Sequence, residues 1–156
     1  MIPENLVIAA QLASNVALIL SLLFVVTRLV QNTKDSRACT QQEVATWYVN
    51  YAAVMLQNGA LDVQAKAALT PDQLNSEDFQ KYRIICRVHF MAFQSLYYQY
   101  RAGLCDPEVF FGVKKSNIDL LCQAGPRSMW KLTRVQYGDE FRTFMSQTYS
   151  QALKVG

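Results

Sequence analysis

The chain has 156 residues, 51% of them hydrophobic, and carries 15 Lys and Arg against 12 Asp and Glu. That is enough for a membrane segment plus one domain, and a net charge of +3 with no basic cluster leaves no nucleic-acid footprint. Its four cysteines stand 47, 19 and 17 residues apart, without a Cys-x-x-Cys pair and beside a single histidine, a pattern that argues against a zinc site or disulfide framework and suits a reducing cytoplasm.

Residues 6–26 form a run of twenty-one without one Asp, Glu, Lys or Arg, bounded by Glu4 and Arg28. At about 1.5 Å per residue a helix of that length spans about 31 Å, matching a hydrocarbon core of about 30 Å. A cleaved signal peptide needs a basic start and a shorter apolar run, neither of which is present, so an uncleaved anchor over residues 1–30 is expected. Arg28, Lys34 and Arg37 follow the span while only Glu4 and the amino terminus precede it, which predicts a cytoplasmic C-terminal part and an inner-membrane location. Within the span Ala9, Ala13, Ala17 and Ser21 recur every four residues, a ridge of small side chains that lets another helix come close. Gln11 and Asn15 are read as lying on a neighbouring face, where they seek amide partners from another copy or another protein.

Residues 27–38 contain no Gly or Pro, so the membrane helix can run on. Thr40 and Glu43 have the spacing of a capping box if it breaks, and merely continue it if it does not. Val44, Trp47, Tyr48, Tyr51, Val54 and Met55 follow at helical spacing up to Asn58-Gly59. After a short helical piece over 61–69, Thr70-Pro71-Asp72 marks a turn into the longest soluble helix, residues 77–102. Its stripe comprises Phe79, Tyr82, Cys86, His89, Phe93, Leu96 and Tyr100, while Ile84, Ile85, Val88, Met91 and Ala92 make other faces apolar, as in a central helix. Gly103 stops it. Asp106-Pro107-Glu108 starts a helix that carries Phe110, Phe111, Val113, Ile118, Leu121 and Cys122 inward. Gly125-Pro126 is read as a break, and residues 127–153 form a last helical region with Trp130, Tyr137, Phe141, Phe144 and Met145 inward and Gly138 placed to bend or divide it.

The fold class is therefore all-α, an N-terminal single transmembrane helix followed by a cytoplasmic helical bundle of about four to five helices. The domains expected are an anchor over 1–30, a juxtamembrane stretch and first cytoplasmic helix over 31–58, and a bundle over 59–156 that completes one domain with 40–58. Trp47, Phe93 and Trp130 are expected in one core.

The order of Gln31-Asn32-Thr33, the helix through Phe90, Phe93 and Tyr100-Arg101-Ala102-Gly103, then Gly125-Pro126-Arg127-Ser128-Met129-Trp130 and Phe141 resembles a family of small uncharacterised bacterial inner-membrane proteins. The resemblance covers most of the chain, although Met129 stands where a second aromatic would fit the pattern. It implies a membrane anchor and a helical bundle, with no assigned activity.

Chemistry-bearing residues are few. Cys86 and His89 lie one turn apart and would suit a thiol–imidazole pair, but both sit on an apolar stripe where they are more simply core residues. Glu77-Asp78 and Asp139-Glu140 read as solvated helix ends. Arg127, Lys131 and Arg134 form a basic stripe that reads as solvated, with lipid headgroups or a partner's acidic residues as the sharper alternatives. No catalytic, cofactor or metal site is assigned. The sequence predicts a membrane-anchored, non-enzymatic interaction or scaffold protein in contact with lipid, self-associating through its span or joining a larger membrane complex. A pore or transport subunit with Gln11 and Asn15 lining a polar path is the alternative, and an enzyme using Cys86 and His89 a distant third.

Overall fold

Without Gly or Pro between Glu4 and Met55, nothing in the sequence interrupts a helix there. The structure, a computed structural model, describes residues 3–57 and 59–155, with side chains for all but Glu4, Leu6, Ala9 and 151–155. Among the described residues the chain is all-α, with six α-helices and no strand. The first, α1, runs unbroken over Glu4–Met55, 52 residues, so Thr40 and Glu43 continue a helix and cap nothing. Asn58 lies outside the described residues; Gly59 beside it takes φ +68°, which only glycine adopts freely, and turns the chain into α2, Ala60–Leu69.

Thr70 ends α2, its hydroxyl donating back to the Lys66 carbonyl at 3.2 Å. Pro71 opens a single 3-10 turn, Pro71–Gln73. The cap of the long helix α3, Ser76–Arg101, is instead Asn75, whose side-chain oxygen accepts the Asp78 amide at 2.8 Å. At its far end Gly103 adopts φ +74° while the Leu104 amide returns to the Gln99 carbonyl at 2.9 Å. Helix α4, Pro107–Leu121, starts on an Asp106 side chain that accepts from the Glu108 amide at 2.8 Å.

Gly125 and Pro126 do not break a helix: they form the buried first turn of α5, Ala124–Thr133. A side chain at Gly125 would place its Cβ 2.1 Å from the Ala67 carbonyl oxygen, so the glycine lets α5 cross α2 in close contact. The C-terminal region does divide, through a 3-10 turn at Arg134–Gln136 and Gly138, before α6, Asp139–Val155.

Helices α2 to α6 enclose one aromatic core. Phe90 meets Trp130 edge-on at 5.3 Å, Phe93 meets Phe141 at 5.8 Å, Tyr97 stacks on Phe144 at 4.6 Å and Tyr100 on Phe110 at 4.1 Å. The C-terminal part of α1 lies against this body through Thr40, Val44, Trp47, Tyr51 and Met55, at helical steps. Arg37 adds a bond from its guanidinium to the Gly103 carbonyl at 3.1 Å.

Several expected core positions are corrected. Trp47 is half-buried and stands outside the core that holds Phe93 and Trp130, because α1 is a flanking helix at that level. Tyr48, Val54 and Phe111 are exposed. So are Ile84, Val88 and Met91: α3 buries a stripe and part of its flanks, and its remaining apolar face is uncovered.

Candidate functional site

Along the first half of α1 every side chain from Ala10 to Asp35 is exposed, including Leu18, Leu22 and Phe24. A helix apolar on all sides and packed against nothing is out of place in water. Gln11, Ala13, Asn15, Ala17 and Ser21 all lie on this open stretch, and the Ala9 side chain lies outside the described residues. Unbroken α-geometry corrects the expected arrangement. At about 100° per residue, the centre of the Gln11–Asn15 pair lies about 160° from that of Ala13–Ala17, so amides and small ridge are nearly opposite each other. Past the apolar run the Arg28 guanidinium lies 5.2 Å over the Phe24 ring, Thr27 and Thr33 donate to helix carbonyls behind them, and Lys34 is exposed. Arg37, grouped with these by sequence, is tied to the α3–α4 turn.

Cys86 and His89 are not joined. Cys86 is buried beside the Tyr82 hydroxyl, and burial pushes its thiol up to about 11, which suppresses the thiolate a nucleophile requires. His89 points instead to Asn117 across α4, with Nε2 to Oδ1 at 3.1 Å. The Asn117 amide nitrogen donates to the Val113 carbonyl at 3.0 Å, which leaves its oxygen to accept, so His89 carries its proton on Nε2. Desolvation lowers the His89 pKa from its ordinary 6.5 despite the opposing hydrogen bond, and the ring is neutral at pH 7.

The other charged candidates are engaged locally. Glu77 pairs with Lys81 at 2.7 Å, Glu140 with Arg101 at 2.6 Å, and Asp139 with Arg142. Arg127 donates to the Cys122 carbonyl at 3.0 Å and Lys131 sits 5.8 Å over the Tyr149 ring, while Arg134 falls beyond the end of α5. The basic stripe is thus not a continuous surface. No two of the described cysteines form a disulfide, and no group of three metal-ligating side chains gathers among the described residues.

A cleft of about 150 Å³ opens where α1 stands off α3 and α4. Small side chains cause the gap: Ala92 and Ser95 of α3 face it where larger residues would have met α1. Trp47 forms one wall, its ring 5.6 Å from His89 and 5.3 Å from Tyr51. Leu96 lines the apolar side, Asn117 is fully buried at the base, Glu43 stands exposed at the mouth, and the Gln99 carbonyl oxygen is buried without a hydrogen-bond partner. Sequence reading missed Asn117 and Gln99. The signal existed for Asn117, since it continues the Phe110, Val113, Leu121 stripe at helical steps and is the polar member of an apolar face.

Compared with family models, curated proteins and solved structures, the chain matches none of them.

Proposed function

We propose that this is a membrane-anchored helical interaction protein of the inner-membrane type, with a single span at residues 6–26, its helical bundle on the cytoplasmic side, and copies that associate through the span. The observation that carries the reading is α1 itself, exposed and apolar over its first half yet continuous with the helix that packs on the soluble core. Basic residues confined to the C-terminal flank support the orientation. The opposed faces bear on the form of assembly. An isologous dimer would use either the small ridge or the amide pair, whereas copies that set the ridge of one against the amides of the next form heterologous contacts that extend beyond a dimer.

Crosslinking of the full-length chain in native membranes tests this. The parent should give species beyond a dimer, and Ala13→Leu with Ala17→Leu, or Gln11→Leu with Asn15→Leu, should each reduce them to dimer or monomer. A parent that is monomeric, or two double variants that assemble as the parent does, removes the basis for association through the span.

A further inference from the structure

From the cleft between α1, α3 and α4 we infer a binding site for a small primary amine, an ammonium head on a compact apolar body. Its size sets the scale, because a cavity of about 150 Å³ accommodates one molecule of roughly benzene size. Its polar groups set the sign. Among the described residues the Gln99 oxygen is a buried acceptor with no donor to satisfy it, and the Glu43 carboxylate at the mouth engages only the weak donor Cys39, Sγ to Oε1 at 3.8 Å. No Lys or Arg lines the cleft among the described residues, and His89 has its Nε2 proton committed to Asn117. An anion would therefore meet a carboxylate with no cation beside it, while an ammonium at the mouth would supply the donor that carboxylate lacks. The Trp47 face, half-buried beside the acid, gives a cation a second favourable surface and the apolar body a wall opposite Leu96.

The position is independent of the span's association. The lining comes from α3 and α4 of the core and from the stretch of α1 that flanks them, so occupancy needs no second copy.

Isothermal titration of the full-length protein in a nonionic detergent tests the inference with phenethylammonium as probe, 2-phenylethanol as its neutral counterpart and phenylacetate as the anion. Phenethylammonium should bind saturably and about tenfold more tightly than the alcohol, as one charge-assisted contact implies, with phenylacetate weakest. Glu43→Gln, an exposed position that leaves the fold intact, should erase the preference for amine over alcohol, and Trp47→Ala should weaken both neutral and cationic probes. Partition into micelles is separated from binding by those two variants, since it is blind to them. Equal binding of amine and acid, an amine preference that survives in Glu43→Gln, or no saturable signal at millimolar probe would each overturn the assignment.

Discussion

His89 is the side chain whose protonation the fold resists most directly. Its ring is packed against Trp47 and Phe90 and hydrogen-bonded to a fully buried asparagine, and desolvation depresses its pKa below 6.5. The sign of the linkage follows. As pH falls below 6.5 the unfolded chain binds a proton that the folded chain does not, so stability is full above 6.5, declines beneath it, and levels off below the depressed folded pKa. One group can contribute a slope of at most about 1.4 kcal/mol per pH unit. Denaturant melts of the parent between pH 7 and pH 5 should show this decline, and His89→Gln should remove its share of it. Identical pH dependence in parent and variant would mean that the ring is protonated without cost.

At the scale of helices, the difference between core and flank decides what an aromatic side chain is worth. Phe93 and Trp130 are enclosed by several rings each, so truncation to Ala should cost about 3–5 kcal/mol. Trp47 borders a cleft and is half-buried, and Trp47→Ala should cost about 1–2 kcal/mol. Thermal melts of the three variants should rank in that order; equal losses would restore Trp47 to the core. The same distinction explains what the sequence made legible. Helix ends were readable at Asp106, Gly59 and Gly103, which act locally through a cap and left-handed turns, whereas Thr70-Pro71 drew the start signal away from Asn75, the residue that caps α3. The all-α class and the inward stripe of α3 were readable from spacing alone. What spacing cannot reveal is which apolar face finds a partner: Ile84, Val88 and Met91 repeat as regularly as Tyr82, Cys86 and Phe93 but face outward. Gly125 was misread for a related reason. Its cue as a breaker is local, whereas its use, clearing the Ala67 carbonyl of α2, depends on a contact between elements far apart in sequence. The cleft was invisible because a gap left by Ala92 and Ser95 exists only once α1 is laid beside them.

For the whole molecule the proposed membrane anchoring raises first the question of which side of the bilayer would hold the domain. Cys39 is exposed whereas Cys86 and Cys105 are buried, so an impermeant thiol reagent reports mainly on Cys39. Intact cells should leave it unlabelled and lysed cells should label it; labelling before lysis would place the domain outside. The second question concerns what passes between the two halves. From Glu4 to Met55 the backbone has no glycine, no proline and no break, about 78 Å of continuous helix. Such a rod has no universal joint. With the apolar half in a membrane as proposed, whatever azimuth its neighbours gave it would be handed on to Trp47 and Glu43, each residue of the rod adding its fixed increment of about 100°. Copies clasped within the bilayer would accordingly hold their domains at a common phase, all clefts turned to the same bearing around the assembly. A small twist of the clasp would swing the α1 wall of every cleft against α3 and α4 together. On the proposed reading, the missing hinge would make orientation, rather than distance, the quantity passed from span to domain.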